Sequence, residues 1–400
     1  MELTILNPEY ATTLVPSLAD TANPRVWVYR CHDEKRGWTL SAATHAPPES
    51  CMLSLGGFRI APPARMESEG FSTEREAVAL AIGMEEKVRW SRVLRIGGPL
   101  GSQQVKRMVG GKCVIAPTPD ACIGQPRDTE LLDFAVECFK AIEAAGGFHL
   151  TTGQDLGHGT MHDGATSSLR YLNERFAGSA AADTSVPTGE GNFQLLCGML
   201  RALNIDIGDA TVGLIGAGHV GTRVLKRLRE HGAKVIVMEP WATRRAELDA
   251  MGVRTWAPDS TGGDTGGEFE FLAQPMDALV VNGSGGSLHY EAVLACCANV
   301  DMRVICGSEN LVMPDPSHAE LLRQAGKVYA PTELGGMMGY LTAAEEYLAR
   351  AAGMPFDLES LLQTATALEQ VGFHATEYVV GTGGQQSFQD ALLDLYPRGD

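Results

Sequence analysis

The sequence predicts an α/β protein of two domains, one of them a doubly wound parallel sheet. Three observations predict it. The chain has 400 residues, more than one hydrophobic core commonly organises. Short apolar strands alternate with helix-like stretches through most of its length. The stretch ATVGLIGAGHVGTRVLKRLREHGAKVIVMEP, residues 210–240, reads as strand, glycine turn, helix and strand in register.

Composition narrows the class. Hydrophobic residues at 44% and charged residues at 20% describe an ordinary soluble globular protein. A net charge of -17 disfavours nucleic acid and anionic membranes, since phosphate repels such a surface. Nine cysteines, odd in number and never spaced CxxC, suit a reducing cytoplasm and offer neither a disulfide framework nor a zinc site. The opening MELTILNPEYATTLVP lacks the basic and apolar regions of a signal peptide. No apolar run is long enough to span a bilayer. A cytoplasmic protein with small-molecule chemistry is expected.

In the first third, RVWVYR and CMLSLGG read as strands. Thr73 to Trp90 reads as a helix, with Thr73 and Glu76 as a capping box and Ala77, Leu80, Ala81 and Met84 on one apolar face. A second helix runs from about Thr129 to Ala145 and stops at Gly146-Gly147. The strand FHLTTG follows. Residues 88–111 carry Arg89, Arg92, Arg95, Lys106 and Arg107, a basic run read as a solvated face, a flap or a patch for an acidic partner subunit. Residues 255–270 read as a Gly- and Asp-rich surface loop.

The central motif assigns a task to each residue. Gly216 permits a tight turn, Gly218 removes a Cβ from the path of a pyrophosphate, and Gly221 lets helix and strand pack closely. The helix that starts at His219 and Val220 presents unpaired N–H groups and a partial positive charge to phosphates. Glu239, at the end of the next strand, suits ribose hydroxyls and repels a 2′-phosphate, which points to NAD over NADP. Arg244 and Arg245 lie just beyond and could soften that preference. ALVVNG, RVICGS and KVYAP continue the strands, with EAVLACCA and HAELLRQA as helices between them.

Six separated motifs, in order, resemble the glutamate/leucine/phenylalanine/valine dehydrogenase family. LGGFRIAPP is similar to that family's LGGTRMWPY, AIGMEEK to ARGMTYK, and GGKCVI to GGGKAVI. GGFHLTTGQDLG is similar to GGRYITAEDVG, GAGHVG is the dinucleotide turn, and GSENLVMPDPSHAELL resembles GSANNQLAEPRHGELL. The resemblance implies NAD(P)-dependent oxidative deamination of an L-amino acid to a 2-oxo acid, reversible with ammonia. It implies a substrate and oligomerisation domain of residues 1–190 plus 345–400, an NAD domain of residues 191–344, a cleft between them and a homo-oligomer. Lys112 would be the catalytic lysine and Asp155 the proton-shuttling carboxylate. Lys87 would bind the substrate carboxylate with the backbone of Gly56 and Gly57. Thr188 and Asn310 would lie near the nicotinamide. The helices after residue 345 would pack back on the first domain.

The chain also departs from the family. The interval from Lys87 to Lys112 is longer, so Lys106 stands as an alternative lysine, and GGPLG at residues 97–101 is a rival match to GGGKA. Leu311 replaces the second asparagine of a pair, and Gly336 stands where an asparagine usually faces the nicotinamide. Leu55, Gly153, Tyr340 and Ala343 suggest a roomy apolar pocket for a hydrophobic amino acid, aromatic or unusual ones included. His158 and His162 are spaced as a possible pair, but the glycines around them oppose a regular helix and no metal is expected. Cys296 and Cys297 read as core. Two other readings stay open: an oxidoreductase acting on an unusual amine or imine, and a non-catalytic NAD-binding homologue.

Overall fold

Alternation of apolar side chains builds the first sheet from seven strands: β1 (Glu2–Leu6), β2 (Trp27–Asp33), β3 (Trp38–Thr44), β4 (Leu53–Leu55), β5 (Phe58–Ile60), β6 (Met108–Ala116) and β7 (His149–Leu150). The computed structural model describes residues 1–258 and 267–396. The order is β1-β2-β3-β6-β4-β7, with β5 also paired to β6. The edge from β1 to β6 is antiparallel, whereas β4, β5 and β7 join in parallel. Strand β6 is therefore the hub, and it is buried along nearly its whole length.

Two-residue periodicity decides what β6 presents on each face. Val109, Cys113 and Ile115 enter a core with Leu131, Leu132, Phe134, Ala135, Phe139 and Ile142 of the helix Asp128–Gly146. Gly110, Lys112 and Val114 point the other way. On that side a Cβ at Gly110 would lie 2.2 Å from the Glu85 nitrogen, so the helix Thr73–Leu94 rides directly on the strand. Sequence placed both helices; the seven-strand sheet adds β1, β3 and β5, and FHLTTG shortens to β7.

The expected capping box does not form. The Ser72 hydroxyl accepts the Arg75 N–H at 3.1 Å, and Thr73 pairs with Ser41 at 2.8 Å. Glu76 is drawn instead to Arg59 and Arg65, because ion pairing of a buried carboxylate outweighs one cap bond. The basic run also ties down locally: Arg92 donates to the carbonyls of Val105 and Met108, and Arg107 to that of Cys51.

The second sheet holds β8 (Thr211–Ile215), β9 (Lys234–Met238), β10 (Arg254–Trp256), β11 (Ala278–Val281), β12 (Val304–Gly307) and β13 (Val328–Tyr329). Every pairing is parallel, in the order β10-β9-β8-β11-β12-β13. That is a doubly wound sheet whose strand order reverses between β8 and β11. The surface loop expected at 255–270 narrows, since β10 runs to Trp256 and a helix starts at Glu268; residues 259–266 lie outside the described residues.

The chain divides into two units, Met1–Arg92 with Gly97–Thr184 and Tyr340–Leu358, and Val93–Ile96 with Ser185–Gly339 and Glu359–Asp400. The expected return of the whole C-terminal segment to the first domain is corrected: residues from Glu359 onward belong to the second unit. The reason is a close helix contact. A Cβ at Gly198 in the helix Ser185–Ala202 would lie 1.9 Å from the Glu369 carbonyl oxygen. A Cβ at Gly372 in the helix Thr366–Gly381 would lie 2.4 Å from that of Leu195. Missing side chains on both helices let their backbones touch, and Arg201 pairs with Glu369 at 2.6 Å.

Gly198→Ala tests this packing. In a solvated helix the change gains up to about 1 kcal/mol. Here we expect a loss of about 1–3 kcal/mol from overpacking, measured as a lower denaturant midpoint; a more stable variant would refute the close contact.

Candidate active site and cofactor turn

The first site begins with the glycine pair after β4. A Cβ at Gly56 would lie 2.0 Å from the Gly111 carbonyl oxygen, and one at Gly57 would lie 2.8 Å from the Lys112 Nζ. Only residues without side chains let this turn pass so close to β6. The turn continues into β5, where Phe58 aligns with Cys113, and the backbone of Gly153 pairs with Gly57. The segment after β7 is thereby folded over the same spot and delivers Asp155.

Lys112 forms a buried ion pair with Asp155; their side chains are 4% and 6% exposed. Burial pushes the Lys112 amine below its ordinary range, Asp155 opposes that push, and the Arg59 guanidinium adds to it. For Asp155, burial alone would raise the carboxyl, but Arg59 and Lys112 hold it well below the usual carboxylate range. Its Oδ1 also accepts the Leu156 N–H at 2.6 Å. Lys106 is exposed in the turn ahead of β6, so the structure joins Lys112, and not Lys106, to Asp155.

Other expected residues take varied places. Lys87 is buried on the helix Thr73–Leu94. Leu55 is buried beside Gly110. The Gly56 N–H donates to the Thr151 hydroxyl at 3.2 Å, so the role expected of that amide in holding a carboxylate is already taken by a side chain. A Cβ at Gly153 would meet only Ala343, at 3.5 Å, which keeps these two positions adjacent. The Tyr340 hydroxyl bonds Ser91, so its polar end is spent on packing. The rival GGPLG segment holds no lysine; its Leu100 and Gly101 amides bind the buried Glu345 carboxylate.

The two histidines go separate ways. His158 is held between the Phe58 carbonyl at 2.7 Å and Ser168 at 3.0 Å, and burial lowers it to about 4, so it is neutral near pH 7. His162 turns to the Gly124 carbonyl. Cys296 is fully buried as expected of a core residue, and the half-buried Cys297 thiol reaches the Leu321 carbonyl.

The second site is the turn after β8. Gly216 adopts φ +81°, and a Cβ there would lie 2.7 Å from the Asn282 carbonyl oxygen. A Cβ at Gly221 would lie 2.0 Å from the Gly216 carbonyl oxygen, whereas one at Gly218 would meet nothing within 4 Å. Two glycines thus serve packing, and the third leaves open space before the helix His219–Glu230. His219 is exposed and Val220 half-buried in its first turn. That open, amide-rich approach fits a pyrophosphate. Glu239 spans the turn: one carboxylate oxygen accepts the Ala217 N–H at 2.7 Å, the other that of Trp241 at 3.1 Å. Arg244 is committed to the Ala217 carbonyl, Thr222 and Glu247, and Arg245 to the carbonyls of Glu239 and Pro240.

Nearby, Thr188 is buried, and its carbonyl accepts the Asn192 amide at 2.8 Å. Asn310 is half-buried, and Leu311 adopts φ 54°, a conformation that asparagine or glycine accepts readily and leucine rarely. Gly336 is buried at the end of a short helix.

Three residues at these sites were missed in the sequence. Arg59 sits within the LGGFRI segment, where its charge was the available signal. Glu309 is buried, and its carboxylate gathers the Gly283 and Ser287 amides and the Ser287 hydroxyl. Burial raises its acid range. Trp241 is 73% exposed, two residues after Glu239, an unusual place for so large an apolar surface.

Comparison with known proteins agrees with this geometry. A model of the D-isomer specific 2-hydroxyacid dehydrogenase NAD binding domain matches residues 182–261. A phenylalanine dehydrogenase from Bacillus thermotolerans is 29% identical over 253 residues, covering 59% of each chain. A valine dehydrogenase from Streptomyces albus is 24% identical over 80% of this chain and 79% of its own. A leucine dehydrogenase from Bacillus subtilis is 25% identical over 79% and 77%. Among solved structures, the L-tryptophan dehydrogenase from Nostoc punctiforme shares the fold with a TM-score of 0.60 at 18% identity, over 92% of this chain and 93% of its own. Two α/β units, a glycine turn at a strand-order reversal and a buried lysine–carboxylate pair define a dehydrogenase of the nucleotide-binding class. The chain is similar in sequence to phenylalanine, valine and leucine dehydrogenases, and its cofactor is NAD. Among the described residues, no helix is long and apolar enough to cross a membrane.

Glu239→Ala should narrow the difference between NAD and NADP binding, read by titration calorimetry; an unchanged ratio would remove Glu239 from the ribose site. Leu311→Asn should stabilise the protein by about 1 kcal/mol through relief of the left-handed backbone, and an unchanged unfolding midpoint would deny that strain.

Proposed function

We propose that this protein catalyses NAD-dependent oxidative deamination of a hydrophobic L-amino acid to its 2-oxo acid, reversibly with ammonia. The observation that carries the reading is the buried Lys112–Asp155 pair seated on Gly57. NAD, when bound, supplies the hydride acceptor. The chain supplies the proton handling. Neutral Lys112 activates the water that adds to the imine carbon and steadies the oxygen as charge develops on it. Asp155 carries protons to and from the amino nitrogen. Buried Lys87 is assigned to the substrate carboxylate, together with the backbone at Gly57. Leu55, Gly153 and Ala343 supply apolar walls and room for a bulky side chain.

In the cofactor unit, the first-turn amides at His219, Val220 and Gly221 hold the pyrophosphate, and Glu239 holds the adenosine ribose. Trp241 offers an exposed aromatic face beside Glu239 for the adenine. Thr188 and Asn310 are assigned to the nicotinamide end. A homo-oligomer is expected. One solved relative in fold, from Thermus thermophilus, is a hetero-hexameric glutamate dehydrogenase.

The departures favour a second reading, an oxidoreductase acting on an unusual amine or imine. Leu311 and Gly336 remove polar groups where the family resemblance places asparagines, and Glu309 adds a buried carboxylate in the same segment. NADH absorbance separates the readings. Turnover of a bulky apolar L-amino acid with NAD, and of its 2-oxo acid with ammonia and NADH, supports the first. Binding of NAD with no turnover across the panel would favour the second.

Lys112→Ala should lower kcat by about 10²–10⁴-fold with NAD binding intact. Because burial lowers the Lys112 pKa and the neutral amine is the active form, deamination in the unaltered enzyme should rise with pH and level off below the ordinary lysine range. Full activity of Lys112→Ala would sink the assignment.

A further inference from the structure

We infer that Arg59 is a positioning residue that sets the protonation state of Lys112 through Asp155, and that Glu76 restrains it. The inference rests on the proposed role of Lys112 and adds residues that role did not include.

The observation is a continuous chain of five charged side chains. Lys112 pairs with Asp155 Oδ2. Arg59 reaches Asp155 Oδ1 from Nη2 at 3.2 Å and from Nε at 3.4 Å. The same guanidinium reaches Glu76 Oε1 from Nη1 at 2.6 Å. Arg65 closes the chain on Glu76 Oε2, with Nη2 at 2.7 Å and Nε at 3.1 Å. Four of these side chains are nearly sealed from water, and only Arg65, at 44% exposure, reaches the surface.

Charge balance gives this chain a function. With Lys112 neutral, the two carboxylates match the two guanidiniums. With Lys112 protonated, two buried cations, Lys112 and Arg59, share the one Asp155 carboxylate. Asp155 alone beside Lys112 would hold the amine protonated, as any close carboxylate does. Arg59 prevents this by sharing the carboxylate, so Asp155 stays ionised without locking a proton on the lysine. Glu76 in turn offsets part of the Arg59 charge.

Other charged or titratable groups surround Lys112. On the helix Thr73–Leu94, which rides on this face of β6, the Glu85 carboxylate accepts the Gly110 N–H at 2.6 Å and Lys87 is buried. His158, on the segment after Asp155, is neutral, and Cys113, on β6 itself, is held as a thiol by burial, which raises it to about 12. β5 contributes Arg59. The register neighbour on β3 is Ala43, which carries no charge.

The mechanism predicts opposite shifts from opposite charges. Removing the Arg59 charge by Arg59→Met leaves Asp155 to Lys112 alone, so the lysine midpoint rises, by about one pH unit or more. Removing the Glu76 charge by Glu76→Gln leaves Arg59 less compensated, so the midpoint falls. Arg59→Lys keeps the charge and should stay near the unaltered protein. A part that only holds the fold together would not move the midpoint both ways.

The measurement is carbon-13 NMR of lysine Cε against pH, on full-length protein grown with labelled lysine. The Lys112 signal is identified by its loss in Lys112→Arg. Opposite shifts in Arg59→Met and Glu76→Gln support the inference, and the rising limb of kcat/KM for deamination should move with them. An unmoved midpoint in both, even with activity lost, overturns it and leaves Arg59 a structural brace. If Arg59→Met fails to fold, Glu76→Gln decides alone: a fall supports, and no change overturns. Because the NMR midpoint needs no turnover, a protein that deaminates nothing in the panel would defeat the proposed function while this test still reads.

Discussion

A backbone without side chains at Gly56 and Gly57 is the constraint on which the first unit depends. It lets the turn between β4 and β5 lie against β6, and it brings the segment after β7 alongside. The β4–β5 turn, β6 and the loop after β7, which lie far apart in sequence, thereby meet at one lysine. The ion pair that results is buried, so its geometry is enforced. Losing one partner of such a pair costs about 3–5 kcal/mol, because the other charge is left unsolvated. Arg59 makes this burial tolerable by giving Asp155 a second cation, and Glu76 does the same for Arg59.

The second unit depends on the same device. Gly216 and Gly221 let strand, turn and helix close up, while Gly218 leaves open space at the helix start. The turn falls where the strand order reverses, which is where doubly wound sheets receive ligands. Glycines at 198 and 372 extend the logic to helix against helix and fix the C-terminal segment to this unit. At Gly56, Gly216, Gly221, Gly198 and Gly372 the missing Cβ is replaced by close backbone contact.

Divergence shows in backbone as well as side chains. Leu311 holds a left-handed backbone better suited to asparagine or glycine. Glu309 draws its amide donors from Gly283 and Ser287, on the segment after β11. The loop therefore keeps a demanding shape while its polar content has changed. Backbone geometry there is set by turns and packing, and the chemistry of the loop by the side chains it carries.

The sequence by itself determined the α/β class and the glycine turn with an acid, Glu239, at the next strand end; Lys112 and Asp155 were only implied by resemblance, with Lys106 left open. These are local signals: spacing of glycines, strand and helix periods, and an acid at a strand end. Only the tertiary structure decided what required contacts across long separations. It joined Lys112, and not Lys106, to Asp155, because β6 is a buried hub and the turn before it is exposed. It turned Glu76 from a helix cap into an ion-pair partner of Arg59, 17 residues away. It moved the chain after Glu359 to the second unit, because helix Thr366–Gly381 has glycine facing glycine-bearing helix Ser185–Ala202. A charged residue's partner is fixed by which groups are left without water, and that is known only once the core has closed.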